Sequence, residues 1–197
     1  SYHIMYSRSL SSDPQVTSTY SEYVPKFNQA KGVSVVLKHF PGYGTLNDTE
    51  DVPVIDNRDA ASIRAKDYLP FKAGVDAGAH FVMVSNVVVE AFDTAHTAAL
   101  SPTVHRELRD NIGFTGLIIT DVLDDPDKYD AFSTYSDGKT PYVAAVLAGN
   151  DMILVEDYGA AYSAILLAVS DGTIAPAIVQ QVCTRIFAYK YATGLMK

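Results

Sequence analysis

The sequence predicts an α/β protein built on a parallel sheet, and two features of the 197-residue chain carry that prediction. Four short apolar runs, Val33 to Leu37, Phe81 to Val84, Leu117 to Ile119 and Met152 to Val155, are rich in β-branched residues and too short for ordinary helices. Longer segments with helical spacing separate them, and strand alternating with helix implies parallel pairing through right-handed crossovers. The runs lack a two-residue alternation of polar and apolar positions, which predicts a sheet covered on both faces.

The helices follow from their start and stop signals. Asp13-Pro14 reads as an N-cap followed by proline at the first helical position, opening a helix towards Ala30 that Pro25 should kink or divide. Asp59 to Ala77 carries Ile63, Lys66, Tyr68, Phe71 and Val75 near helical intervals, with a break expected at Pro70. Ser101-Pro102 repeats the capping signature and predicts a helix to about Asn111, before Gly113; Thr140-Pro141 does the same for a helix ending near Gly149. Tyr158 to Val169 and Pro176 to Tyr191 supply two closing helices, stopped by Gly172 and Gly194. Leu123 to Lys139, crowded with Asp124, Asp125, Pro126, Asp127, Asp130, Asp137 and Gly138, reads as a solvated polar loop.

Composition bounds the function. With 48% hydrophobic and 19% charged residues, the chain suits one globular domain over residues 1–197. Twenty-three acidic against fifteen basic side chains give a net charge of -8, the wrong sign for following a phosphate backbone, so nucleic acid is not an expected partner. The single Cys183 cannot form an internal disulfide or a thiolate metal site. No apolar run approaches the roughly 18 residues of a membrane span. The opening Ser1-Tyr2-His3-Ile4-Met5-Tyr6 has no basic stretch followed by an apolar one, and any export signal is expected upstream.

In parallel α/β proteins, functional groups collect where strands end. The four runs are followed by Lys38-His39, Ser85-Asn86, Thr120-Asp121 and Glu156-Asp157, so their rim would form a hydrophilic pocket suited to a polyhydroxylated ligand. Asp121 would emerge partly desolvated at its floor, as a nucleophile or a stabiliser of positive charge; a helix N-cap or an ion pair with Lys38 are the structural alternatives. Lys38 and His39 could orient hydroxyls, pair with that carboxylate, or simply hydrogen-bond the scaffold. Phe40-Pro41-Gly42-Tyr43-Gly44 is a turn, without the Lys-Ser/Thr ending of a phosphate loop or the three-glycine dinucleotide pattern. Asp48, Glu50 and Asp51 follow, and could supply a proton donor or only a solvated surface. His3, His80, His96 and His105 show no ligand-like spacing, so no metal is expected.

Lys38-His39-Phe40-Pro41-Gly42-Tyr43-Gly44 closely resembles the Lys-His-Phe-Pro-Gly-His-Gly motif of glycoside hydrolase family 3, in its bacterial β-N-acetylhexosaminidase branch. Arg8-Ser9-Leu10-Ser11-Ser12-Asp13-Pro14 is similar to the Arg-Ser-Phe-Gly-x-Asp-Pro segment ahead of it. Asp67-Tyr68-Leu69-Pro70-Phe71, Ala77-Gly78-Ala79, Val82-Met83-Val84, Leu100-Ser101-Pro102, Leu108-Arg109 and Gly113-Phe114-Thr115-Gly116 follow in family order. Ile118-Ile119-Thr120-Asp121 resembles the strand bearing the nucleophile, and Ala148-Gly149-Asn150-Asp151-Met152 the last barrel strand.

The resemblance implies a (β/α)8 barrel, of which these landmarks would form strands five to eight. A whole barrel takes about 250 residues, so this chain would hold the C-terminal half. It implies Asp121 as nucleophile and Arg8, Lys38 and His39 as sugar-binding groups in a retaining, cofactor-free hydrolysis of terminal β-N-acetylglucosaminides of cell-wall or chitin type. A secreted or cell-surface setting is expected ahead of a cytoplasmic one. Where the family carries Asp-Ser-His, with histidine as acid/base, this chain has Asp48-Thr49-Glu50, which makes Glu50 and Asp48 the candidates for that role. Tyr43 replaces a motif histidine, Ser85-Asn86 stand at the usual Ala-His, and Val122-Leu123-Asp124-Asp125 departs from Leu-Asn/Ser-Met. Two other outcomes remain open: a sugar-binding relative with impaired catalysis, and a half-barrel that pairs with a second copy or with a separate N-terminal half. An isolated half-barrel is expected to turn over little substrate.

Overall fold

A computed structural model describes residues 8–46, 53–124 and 129–197 of the chain. Helix α1 (Pro14–Gln29) starts where the capping signature places it, with the Asp13 carboxylate accepting from the Gln15 amide at 2.8 Å. Strand β1 (Val36–Phe40) and the two-residue β2 (Ile55–Asp56) lead into α2 (Ala60–Lys66) and α3 (Tyr68–Asp76). Then come β3 (Phe81–Val84), the two-residue β4 (Val88–Val89) and α4 (Pro102–Arg106), which runs on into a π-helical turn over Glu107–Asn111. Strand β5 (Leu117–Val122), α5 (Tyr129–Ser133), α6 (Pro141–Ala148), β6 (Met152–Leu154), α7 (Tyr158–Ser170) and α8 (Pro176–Ala192) complete the order.

Two proline expectations are corrected. Pro25 lies inside α1 without dividing it: the ring is buried, and packing of α1 against α3 outweighs the one backbone hydrogen bond that proline forfeits. The break in the second helical segment falls at Asp67 rather than at Pro70, because Pro70 has no N–H to give the carbonyl of Lys66 one turn earlier. The other caps form as the sequence predicts. Ser101 accepts from the Val104 amide, Thr140 from that of Val143, and Gly149 closes α6 in the left-handed conformation at φ 113°.

The main sheet has four parallel strands in the order β1-β3-β5-β6, and β2 pairs in parallel with β4 in a separate small sheet. Strands of two residues leave no periodic signal, so this second sheet escapes the sequence reading. The ladder shifts register at two places. Between the Leu37–Val82 and Phe40–Val84 pairs, β1 carries one residue more than β3. Between Ile119–Met152 and Val122–Leu154, β5 carries one residue more than β6.

Covering of both sheet faces does not hold. Val82, Val84 and Ile118 are fully buried beneath the helices, whereas Phe81, Met83 and Ile119 are half-buried and Met152 and Leu154 exposed. Both sets are apolar, so the sequence hides an alternation that the burial reveals. The principal core sits between the sheet and α3 and α4, around Phe40, Phe71, Leu108 and Phe114. A second cluster joins Leu100, Leu123, Tyr142 and Ala145 to α7 through Ala161. The stretch expected to be a solvated loop is partly structural: Leu123, Phe132 and Ser136 are buried, and α5 forms within it.

Helix α8 is tied to the N-terminal ends of the strands. Arg185 Nε reaches Asp151 Oδ1 at 2.5 Å, Asp151 Oδ2 accepts from the Ile118 amide at 2.8 Å, and the hydroxyls of Tyr189 and Ser34 lie 2.7 Å apart. That fastening leaves the opposite, C-terminal ends of the strands for the polar residues. Among the described residues, no helix is long and apolar enough to cross a membrane.

Candidate active site

Lys38 and His39, expected just beyond the first strand, lie within β1, and Asp121 is the fifth residue of β5 rather than the first beyond the strand. Both segments fall inside the two register shifts. An extra residue in one strand bends it and re-aims the side chains there, a feature over-represented beside active sites. Although β3 separates β1 from β5, His39 Nε2 comes to 3.7 Å from Asp121 Oδ2, with 9% and 23% of the side chains exposed. The structural alternatives for Asp121 are overturned. It caps no helix, since it and the following Val122 lie within β5, and among the described residues it makes no ion pair with Lys38. Its Oδ1 accepts from the Val122 amide at 3.0 Å, which leaves the carboxylate edge towards His39.

The peptide bonds Lys38–His39 and Phe40–Pro41 are both cis. Tyr43 returns to the site as a buried residue whose ring meets His39 edge-on at 5.5 Å. Phe40 packs between Tyr68 and Phe71, each ring 5.2 Å away. Gly42 and Gly44, both at positive φ, are required by close approach: a Cβ on Gly42 would stand 2.2 Å from Asp67 Oδ1, and one on Gly44 2.6 Å from Arg58 Cζ. The turn therefore lies against an ion-pair cluster that the sequence reading does not find. Arg58 binds Asp56 with Nε and Nη2, the latter at 2.7 Å, and Asp67 with Nη1 at 2.9 Å. Asp56 is wholly buried; its hydrogen bond to Arg58 raises the guanidinium pKa further, while burial pushes the Asp67 carboxyl up despite the arginine. The available signal was Asp56-Asn57-Arg58, an acid and a base two residues apart beside apolar Pro53-Val54-Ile55.

The other strand ends hold the rim together. Asn86, buried after β3, donates to the Val122 carbonyl at 2.8 Å and so braces the residue next to Asp121. Asp124, 7% exposed, accepts from the amides of Glu156 at 2.6 Å and Asp157 at 2.8 Å and from the Tyr142 hydroxyl at 3.2 Å. Asp157 in turn caps α7 through the Ala160 amide. Of the expected sugar-binding groups, Lys38 and Arg8 are exposed, Arg8 ahead of α1. Asp48 and Glu50 lie outside the described residues.

A parallel-sheet α/β protein with a carboxylate, an imidazole and a lysine towards the C-terminal ends of two strands of one sheet has the arrangement of the barrel-like class of proteins, whose sites lie at that end. The sequence profile described as "Glycosyl hydrolase family 3 N terminal domain" matches residues 4–189, and the chain belongs to this family of glycosidases. It is 38% identical over 152 residues to a "Beta-hexosaminidase" of Stenotrophomonas maltophilia (strain R551-3), covering 75% of this chain and 43% of that protein. In structure it is similar to a glycoside hydrolase family 3 β-N-acetylglucosaminidase from Paenibacillus sp. str. FPU-7, at a TM-score of 0.86 and 25% identity over 97% of this chain and 37% of the other. A β-N-acetylhexosaminidase from Beutenbergia cavernae DSM 12333 gives a TM-score of 0.75 and 30% identity over 92% and 53% of the two chains. The chain thus spans less than half the length of the curated relative and about half or less of these solved ones.

Proposed function

We propose that this chain is the C-terminal half, strands five to eight, of a family 3 barrel and carries Asp121 as the nucleophile of a retaining hydrolase of terminal β-N-acetylglucosaminides. The observation that carries the reading is the Asp121 carboxylate at the C-terminal end of an inner strand, part-buried and facing His39 at 3.7 Å. Asp121 attacks the anomeric carbon as the glycosidic C–O bond breaks, and a proton donor delivers its proton to the departing oxygen. Water then attacks the same carbon of the glycosyl-aspartate, gives its proton to the group that acted as donor, and releases Asp121. His39 and Lys38 hold sugar hydroxyls beside the reacting carbon, with Arg8 as a further sugar contact. Glu50, with Asp48, takes the proton-donor role. Cell-wall or chitin fragments are the natural substrate class.

The open apolar face formed by Met83, Ile119, Met152 and Leu154 supports the half-barrel reading, because in a closed barrel those side chains would pack against the facing strands. By itself the chain then turns over little substrate. A chromogenic β-N-acetylglucosaminide assay on the natural full-length polypeptide and its Asp121→Asn variant tests the assignment. A loss of 1000-fold or more, on the order expected for removing a nucleophile, is the supporting result; equal activity refutes it.

A further inference from the structure

We propose that Arg58 and Asp67 form a clamp that positions His39 against Asp121, by holding the Gly42-Tyr43-Gly44 turn from behind. The proposal rests on the reading of His39 and Asp121 as one site. The guanidinium and the Asp67 carboxylate touch the turn at two points, one at each glycine, where even a methyl group would collide. Tyr43 sits between those points, buried, with its ring on the ring of His39. The clamp is itself anchored, since Asp56 belongs to β2, and its carbonyl accepts from the Glu90 amide at 3.0 Å beyond β4. A continuous set of contacts therefore runs from the small sheet through Arg58 and the glycine turn to Tyr43, His39 and Asp121.

A buried ion pair adds little net stability, since desolvation offsets most of the attraction, and its best-attested use is to fix one arrangement among several. Here that arrangement has a specific consumer. The fork of Arg58 bridges two carboxylates from different segments, a geometry that lysine cannot reproduce with its single ammonium. Asp67 interrupts α2 and α3, and the next residue, Tyr68, packs on Phe40 of the same motif, so the clamp and the wedge beneath the turn are set by adjacent residues.

The test is a coupling measurement on the chain as it stands and needs no turnover. The His39 imidazole is titrated by nuclear magnetic resonance in the wild type, Asp121→Asn, Arg58→Lys and the double variant, with folding checked by thermal unfolding. Removing the Asp121 charge, 3.7 Å from the imidazole, should shift the His39 titration to lower pH in the wild-type background, as loss of a nearby carboxylate does. In the Arg58→Lys background the same step should fall to half that or less. Asp67→Asn, which keeps an oxygen acceptor in place, is read in the same way. An undiminished step in folded Arg58→Lys and Asp67→Asn overturns the clamp. No step in the wild type overturns instead the pairing of His39 with Asp121. Loss of fold in both clamp variants would make the ion pair a stability element and overturn the positioning role.

Discussion

Replacing Asp124 by alanine removes three hydrogen bonds at once, from the Glu156 and Asp157 amides and the Tyr142 hydroxyl. Bonds to a charged acceptor are worth roughly 1.5–3 kcal/mol each when the partners are left dry. Glu156 and Asp157 are themselves exposed, so water can reach their amides and the lower end applies to those two; the Tyr142 bond, the longest of the three at 3.2 Å, is also taken at the lower end. The loss should total about 4–5 kcal/mol, and for a domain of this size each kcal/mol lowers the melting temperature by about 2–4 °C. Urea unfolding at neutral pH would show the midpoint falling with an unchanged slope. Asp124→Asn should recover only part of the loss, because its amide group would turn a donor towards one of the two backbone donors. A cost below about 0.5 kcal/mol for Asp124→Ala, the ordinary range for surface substitutions, would refute the structural role and return this residue to a solvated loop.

Three further outcomes are expected. His96 lies 3.0 Å from both Asp93 and Asp137; burial lowers its pKa, but hydrogen bonds to Asp137 and Asp93 leave it raised above 6.5. Its contribution is then complete below that unfolded value and lost as pH rises through the folded one, so His96→Gln should cost up to about 1 kcal/mol near pH 6 and nothing near pH 9. An equal cost at both, read by urea midpoints, would contradict this. Gly42→Ala combines a collision at 2.2 Å with a φ of 122° and should cost about 3 kcal/mol; Gly78→Ala, at φ 87° with nothing within 4 Å, should cost about 1 kcal/mol in the same thermal scan. Asp151→Ala strips the carboxylate from Arg109, which keeps the Phe114 and Gly116 carbonyls, and from Arg185, and the acceptor from the Ile118 amide, and chemical denaturation should show a loss of about 3–5 kcal/mol.

The parts of the fold legible in sequence are those written in local chemistry. Asp13-Pro14, Ser101-Pro102 and Thr140-Pro141 start their helices as expected because a cap acts within one turn, and Phe81–Val84 is a strand at the expected bounds because its apolar run is bracketed by polar residues. Lys38, His39 and Asp121 are legible as polar residues placed after apolar runs, with roles implied by the resemblance to a family, but the manner in which they meet is not, since a register shift depends on the partner strand and leaves no mark on its own sequence. Arg58, Asp56, Asp67 and Asp124 illustrate the other blind spot. A charge buried by partners distant in the chain has the same local sequence as a charge in solvent, so Asp124 read as surface while carrying two amides and a hydroxyl.

The two register shifts place part of the site in the number of residues rather than in their kind. Deleting one residue from Lys38-His39 or from Thr120-Asp121 would leave a ladder of ordinary pairing and a strand of unchanged hydrophobicity. The later side chains of that strand would keep their faces, but the residue left between the two pairs would lose the aim that the extra one gives it. The number of residues is thus as much a part of the site as their kind, and a single-codon deletion at Thr120 that looks harmless to the sheet would turn the carboxylate away from the imidazole it faces.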